Sequence, residues 1–105
     1  MPPPPLPLIL DALRDVIDPE LGYNIVDMGL IYGIGVEEDL LWLRMTMTTP
    51  GCPAQDYIQD GVRQRGLRID GIHEVEIELV WEPPWSVHHM SPEAKAHFGV
   101  KDTGR

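Results

Sequence analysis

The sequence predicts an α+β fold, in which helices pack on one face of a small mixed or antiparallel sheet. Two observations carry this prediction. Segments with a helical period of apolar residues alternate with segments of period two. A chain of 105 residues, 43% of them hydrophobic, supports one domain with one modest core. The predicted element order is α-β-β-α-β-α, with a proline-rich leader at 1–7, the domain at 8–99 and a flexible tail at 100–105.

The first helix is predicted in the segment LILDALRDVID, where apolar residues repeat at helical spacing. The prolines that precede it, Pro2 to Pro5 and Pro7, favour an extended chain and are expected to stay outside the helix. Its predicted apolar stripe comprises Ile9, Leu13, Val16 and Ile17. The helix should end at Asp18-Pro19, because the residue before a proline is disfavoured in helical conformation.

An antiparallel hairpin is predicted next, from alternating apolar residues on both sides of a charged turn. The turn is Glu37-Glu38-Asp39. On the first strand, from Val26, the alternating residues are Met28, Leu30, Tyr32, Ile34 and Val36. On the second strand, Leu41 to Thr48, the residues expected on the buried face are Leu41, Leu43, Met45 and Met47.

The second half of the chain predicts a helix, a strand and a short helix. The segment AQDYIQDGVRQRGL is expected to be helical, with an apolar stripe of Tyr57, Ile58, Val62 and Leu67. The following strand should bury Val75, Ile77, Leu79 and Trp81 and expose Glu74, Glu76 and Glu78. Ser91 and Pro92 have the residue types of an N-cap and a first helical position, so the last helix should run from there to about Gly99.

Charge and targeting signals narrow the functional class. Eight Lys and Arg against 17 Asp and Glu give a formal net charge of -9. This charge repels phosphate backbones and anionic lipid, so nucleic-acid and membrane-surface binding are not expected. The N-terminal segment lacks the features of a signal peptide, and a lone cysteine persists as a thiol in a reducing compartment. We therefore expect a cytoplasmic protein.

The only cysteine, Cys52, lies in the segment MTMTTPGCP between a predicted strand and a predicted helix. Cys52 is therefore expected at or beside the helix N-cap. Unpaired N–H groups and the positive end of the helix dipole stabilise a thiolate there. A reactive thiol is one interpretation, and a small buried hydrophobic residue in a connecting turn is the other.

Four blocks of the sequence together resemble the MIP18 and SufT-like iron-sulfur cluster assembly family, formerly a domain of unknown function. These blocks are DPELGYNIVDMGLIYGI, MTMTTPGCP, LVWEPPW and MSPEAK, and they span nearly the whole chain in the family's order. The resemblance implies an α+β domain whose functional residues gather around Cys52. On the family pattern these residues are Asp18, Glu20, Thr48, Thr49 and Cys52.

The resemblance also implies a cargo and partners. Family members act in iron-sulfur protein maturation, as carriers or adaptors more than as enzymes, so the expected partners are assembly machinery or client apo-proteins. An iron-sulfur cluster usually takes four cysteine thiolates. With Cys52 as the one possible thiolate ligand, any cluster must be labile and shared with a partner or between the subunits of a homodimer.

Alternatives remain open on sequence grounds. Cys52 could be the nucleophile of an enzyme, which would need a nearby base. A related branch of the family serves the phenylacetate-degradation oxygenase, so an accessory subunit of that complex is a further alternative. Asp18 could simply cap a turn.

The adjacent His88 and His89 are disfavoured as a metal site, since their rings point apart on an extended chain. Trp85 is the better interface candidate, and Trp81 is expected in the core.

Overall fold

A computed structural model describes residues 4–48 and 54–100 of the chain. Three α-helices, five strands and one 3-10 turn are found there. In chain order they are α1 (Leu6–Leu13), β1 (Ile17–Asp18), β2 (Tyr23–Asn24), β3 (Ile31–Glu37), β4 (Leu40–Met45), α2 (Ala54–Leu67), β5 (Glu74–Leu79), the 3-10 turn (Val87–His89) and α3 (Pro92–Phe98). The α+β class is confirmed, with an additional pair of short strands before the predicted hairpin.

The main sheet has the order β3-β4-β5. β3 and β4 form the predicted antiparallel hairpin, whereas β5 runs parallel to β4 after the crossover through α2. A separate ribbon pairs β1 with β2, with Asp18 opposite Tyr23. Because β4 is the central strand, its alternate residues Leu41, Leu43 and Met45 are fully or almost fully buried beneath the helices.

The helix α2 has the predicted bounds but a different buried stripe. It buries Ala54, Ile58, Val62 and Gly66, which recur at intervals of four residues. The predicted stripe members Tyr57 and Leu67 are 62% and 46% exposed, so their assignment to the core was wrong. Small residues allow the helix to approach the sheet closely: a Cβ at Gly66 would lie 3.0 Å from Val75 Cγ2. The buried face of α2 is therefore set by the close approach of its backbone to the sheet as well as by its apolar side chains.

The first helix is shorter than predicted and starts earlier. Pro7 lies inside its first turn, where a proline loses no helical hydrogen bond, so its expected exclusion was wrong. The helix ends at Leu13, and Arg14 is its C-cap. Val16 is still buried, but Ile17 is 40% exposed because the chain has already left the helix and begun β1.

The first strand of the hairpin starts at Ile31 and not at Val26. Met28 and Leu30 are fully buried, but both precede the strand, and Met28 lies in a turn. The backbone at Gly29 has a φ of 77°, which interrupts the extended chain. The assignment of Trp81 to the buried face of β5 was also wrong. β5 ends at Leu79, and Trp81 is 38% exposed.

The C-terminal segment folds back over the loop that precedes β3. The Trp85 indole Nε1 donates a hydrogen bond to the Met28 carbonyl oxygen at 2.7 Å. The Ser91 backbone N–H donates to the Asp27 carbonyl oxygen at 2.8 Å. The predicted last helix is confirmed, with Ser91 as N-cap and Gly99 as a left-handed C-cap. Among residues 4–48 and 54–100, no helix has both the length and the apolar composition that a membrane span requires.

Candidate functional site

Three of the five predicted site residues belong to the described part of the chain: Asp18, Glu20 and Thr48. Thr49 and Cys52 lie outside the described residues. In sequence, Cys52 stands two positions before Ala54, the first described residue of α2.

The chain that leads into β1 runs along α2 towards the helix N-terminus. Asp15 Oδ2 accepts a bond from Arg65 Nε at 2.8 Å, near the C-terminal end of the helix. One residue later, Val16 Cγ1 lies 3.1 Å from the Cβ position of Gly61. Ile17 then lines a groove with Tyr57, in the first turn of α2. Asp18 is the next residue along the chain.

Asp18 is a buried carboxylate that shapes a turn. Its side chain belongs to a residue only 2% exposed, and Oδ1 accepts a hydrogen bond from the Glu20 backbone N–H at 2.8 Å. The Asp18 carbonyl oxygen accepts a second bond from the Gly22 N–H at 2.7 Å. These bonds hold the loop from Pro19 to Gly22, and Glu20 is presented to solvent on it. In this geometry Asp18 caps the turn.

An aromatic cluster supports the ribbon that carries Asp18. Tyr23, the partner of Asp18 across the ribbon, has its ring centroid 4.9 Å from the His97 ring and 5.5 Å from the Phe98 ring. The last helix thereby contacts the ribbon through aromatic rings. Sequence reasoning missed this cluster, because Tyr23 is 74 positions before His97 and no local periodicity joins them.

Thr48 borders an apolar hollow at the end of the sheet. The hollow has a volume of about 250 Å³, and its lining residues are Met47, Thr48, Trp81, Pro84 and Trp85. The two tryptophans have exchanged their expected roles. Trp81 is the more exposed ring, whereas Trp85 is partly buried and is held by its bond to the Met28 carbonyl. Two residues before Thr48, the Thr46 side chain is 1% exposed, and its Oγ1 has no hydrogen-bond partner within the described chain.

A second missed feature is the reciprocal pair of Asn24 and Asp27. Asn24 Nδ2 donates to Asp27 Oδ2 at 2.8 Å, and the Asp27 N–H donates to Asn24 Oδ1 at 2.8 Å. Burial raises the pKa of Asp27, but hydrogen bonds from Asn24 and Ser91 together with the Arg14 charge outweigh it and hold that pKa below its ordinary value. The spacing of an amide and a carboxylate three residues apart was the available signal. This pair fixes the turn that leads to the buried Met28.

The side chains of His73 and His89 have polar partners within the described chain. His89 Nδ1 accepts a bond from the Ser86 N–H at 3.1 Å and helps to cap the 3-10 turn. His73 Nδ1 lies 3.5 Å from Asp39 Oδ2, at the hairpin turn. Across residues 4–48 and 54–100, no three His, Cys, Asp or Glu side chains are grouped so that they could hold a metal ion. The His89 side chain therefore helps to cap the 3-10 turn, and the His88 backbone N–H donates to Ser86 Oγ at 3.3 Å.

Comparison with known proteins adds a family to this geometry. A family model described as iron-sulfur cluster assembly protein matches residues 8–79. The matched region contains the turn at Asp18, the cysteine segment and all five strands. It ends before the C-terminal segment that supports them.

Individual relatives match over most of their length. The chain is 39% identical over 94 residues to the Fe-S protein maturation auxiliary factor YitW of Bacillus subtilis, covering 89% of this chain and 92% of that protein. It is 42% identical over 86 residues to the Fe-S protein maturation auxiliary factor SufT of Staphylococcus aureus, covering 81% and 98%. A crystal structure of a protein of the domain of unknown function DUF59 from Bacillus anthracis superposes with a TM-score of 0.83 at 37% identity, covering 90% and 92%.

Proposed function

Because the chain belongs to the iron-sulfur cluster assembly protein family, we propose that it acts in the maturation of iron-sulfur proteins, as a carrier or adaptor working through Cys52. Its two similar relatives from Bacillus subtilis and Staphylococcus aureus are named as maturation auxiliary factors. The observation that carries the proposal is the course of the chain before Asp18, which runs along α2 towards the end next to the cysteine segment. Its partners are assembly machinery or client apo-proteins in the cytoplasm.

The number of thiolate ligands in the chain indicates that an iron-sulfur cluster would be a cargo and not a permanently bound cofactor. The chain has one cysteine, whereas a [2Fe–2S] or [4Fe–4S] cluster usually takes four thiolates. Cys52 contributes one ligand, and the others come from a partner, a second copy of the chain or small thiols. A cluster held in this way dissociates readily, which suits transfer to a client.

The remaining site residues have distinct tasks in this proposal. Asp18 is a positioning residue, since its Oδ1 holds the turn and does not face solvent. Glu20 is the exposed carboxylate of that turn, and it is available to a cationic group of a partner. Thr48 and Thr49 precede Cys52 and offer hydroxyl groups to a sulfur or a cluster.

The test uses Cys52→Ala and Cys52→Ser in cells that lack the wild-type protein. We expect neither variant to restore the activity of an iron-sulfur enzyme under iron limitation, while both unfold at nearly the wild-type midpoint. Serine keeps the size and polarity of the side chain but supplies no thiolate, so it isolates the sulfur. Gln64→Ala, an exposed substitution on α2, is the matched control and should restore activity fully.

Two outcomes would contradict the proposal. Full rescue by Cys52→Ala would show that the thiol is dispensable. A large fall in the unfolding midpoint together with lost activity would identify Cys52 as a packed core residue, since truncation of a buried side chain leaves a cavity. Anaerobic reconstitution with iron and sulfide, followed by absorption spectroscopy and mass measurement, then separates cluster carriage from pure adaptor action.

A further inference from the structure

The outer edge of β5 is an open strand edge. β5 is the last strand in the order β3-β4-β5, and no other strand in the described ranges pairs with its far side. Its register with β4 is continuous from Glu74 opposite Leu40 to Leu79 opposite Met45. A strand with one free edge offers unpaired N–H and C=O groups to another extended chain.

The backbone groups on this edge can be assigned residue by residue. The Glu74 N–H donates to the Asp39 carbonyl at 3.2 Å, and the Val80 N–H donates to the Met45 carbonyl at 2.8 Å. In a parallel ladder the groups of alternate residues point to the same neighbour. The even-numbered residues of β5 therefore bond to β4. Val75, Ile77 and Leu79 direct their N–H and C=O groups outwards.

The two faces of this edge differ in character. Glu74, Glu76 and Glu78 are exposed on one face, where Glu78 Oε1 lies 3.2 Å from Arg44 Nε in an exposed ion pair. On the other face Ile77 and Leu79 are only half-buried, so part of each side chain remains accessible. An incoming strand would meet carboxylates on one face and apolar surface on the other.

The opposite edge of the sheet is built differently. The ladder between β3 and β4 is irregular, with a register shift between Ile31 and Gly33. Bulges of this kind twist an edge strand and discourage further pairing. β5 has no such shift along its pairing with β4. The glutamates of β5 protect its edge against unwanted pairing. They repel acidic segments and attract basic ones.

We propose that the β5 edge binds an extended segment of a client or assembly partner, in which Lys or Arg alternates with apolar residues. The identity of that partner as a client rests on the proposed function. Cations opposite the glutamates are favourable cross-strand pairs, and the net charge of -9 attracts such a segment. A second copy of β5 does not fit, since antiparallel pairing of two copies places glutamate opposite glutamate.

This docking mode directs the partner to the end of the sheet at which Thr48 lies. β4 and β5 are parallel, so their C-terminal ends lie at the same end of the sheet. β4 continues to Thr48 and the cysteine segment, and β5 continues to Trp81. Trp81 and Thr48 line the same hollow. A bound segment that extends past Leu79 reaches that hollow.

The experiment uses two synthetic eight-residue peptides, one alternating Lys and Val and one alternating Glu and Val. Amide hydrogen exchange of the full chain is followed by NMR. With the Lys-Val peptide at ten times its dissociation constant, we expect exchange at Val75, Ile77 and Leu79 to slow about tenfold. The Glu-Val peptide should leave these amides unchanged, and added salt should weaken the Lys-Val effect.

Charge-reversed variants provide the matched controls. The triple variant Glu74→Lys, Glu76→Lys, Glu78→Lys should protect the same amides with the Glu-Val peptide and no longer with the Lys-Val peptide. Glu76→Lys alone should weaken binding of the Lys-Val peptide if the triple variant does not fold. Equal binding of the Lys-Val peptide by wild type and a charge-reversed variant would overturn the proposal. So would protection outside β5, or concentration-dependent protection without peptide, which would show self-association.

Cys52→Ala separates this proposal from the function on which it rests. The variant should bind the Lys-Val peptide as wild type does, because no part of the β5 edge includes Cys52. If the peptide fails to protect β5 while Cys52 is still needed in cells, the docking surface is wrong and the thiol function stands. If Cys52→Ala restores activity while the peptide protects β5, the thiol function is wrong and the docking surface stands.

Discussion

The carbonyl group of His89 closes over Gly29, so that a hydrogen atom is the largest substituent the site accepts. A Cβ built on Gly29 would overlap with the His89 carbonyl oxygen, and the backbone there has a φ of 77°. The contact joins the turn before β3 to the 3-10 turn of the C-terminal segment. It therefore holds the C-terminal segment against the turn that precedes β3.

Gly29→Ala should destabilise the fold strongly, because it adds a clash with backbone to an unfavourable left-handed conformation. The conformational part alone costs about 1–2 kcal/mol. Gly22→Ala is the matched control: its φ is 70°, but no atom lies within 4 Å of the added Cβ. Urea unfolding should show a clearly larger loss for Gly29→Ala. Equal losses would mean that the His89 contact yields without cost.

Asp18→Asn should fold nearly as well as wild type, whereas Asp18→Ala should lose about 1.5–3 kcal/mol. The amide retains an oxygen to accept the Glu20 N–H, and the alanine does not. Denaturant unfolding measures the difference. If Asp18→Asn folds normally but fails to support iron-sulfur enzymes in cells, the carboxylate charge has a chemical task and Asp18 is more than a positioning residue.

Trp85→Phe should lower the free energy of unfolding by about 1–3 kcal/mol, because it leaves the Met28 carbonyl without its indole donor. Trp81→Phe is the control of equal chemistry, and it should change stability by less, since Trp81 is 38% exposed. Thermal or urea unfolding of the two variants provides the comparison. A greater loss at Trp81 would show that the C-terminal segment is held chiefly by the hollow.

Thr46→Val should stabilise the protein by about 1 kcal/mol or more, because it replaces a buried unsatisfied hydroxyl with a methyl group of similar size. Thr48→Val, at a half-buried position, should have a smaller effect. Unfolding midpoints of both variants test this. A destabilised Thr46→Val would show that the hydroxyl has a partner beyond the described residues.

Asp27→Asn should make stability less dependent on pH at the acid end. The pKa of Asp27 is lowered in the folded state, so its contribution is present above the ordinary carboxyl pKa of about 3.9 and is lost as pH falls through the lower folded pKa. Wild type should therefore exceed the variant in stability at neutral pH, and the gap should narrow below about pH 4. Urea unfolding at several pH values measures it. A gap that is constant across this range would contradict the assignment.

The sequence predicted elements well where local chemistry decides them. The bounds of α2 and the cap at Ser91 follow from helical spacing and capping preferences, which act over a few residues. Trp81 and Tyr57 were misassigned because periodicity does not show where a strand stops or which helix face approaches the sheet. At the candidate site, the turn at Asp18 was foreseeable from Asp-Pro. Its support by Tyr23 and His97 depends on tertiary contacts that no local pattern encodes.

The parallel pairing of β4 and β5 also sets the order in which the molecule can assemble. The hairpin of β3 and β4 closes over two intervening residues, whereas β5 joins β4 only after the whole crossover of 46–73 has been drawn in. Closing a longer loop loses more chain entropy, so we expect the hairpin to form in the folding transition state and β5 to dock afterwards.

Substitutions in the hairpin should then slow folding, and substitutions in β5 should mainly hasten unfolding. The reverse pattern in stopped-flow measurements would refute this order. In sequence, the cysteine segment belongs to that crossover, so a chain still being synthesised contains Cys52 before residues 74–79 are available to pair. A partly made chain would therefore carry the thiol without the arrangement that is proposed to employ it.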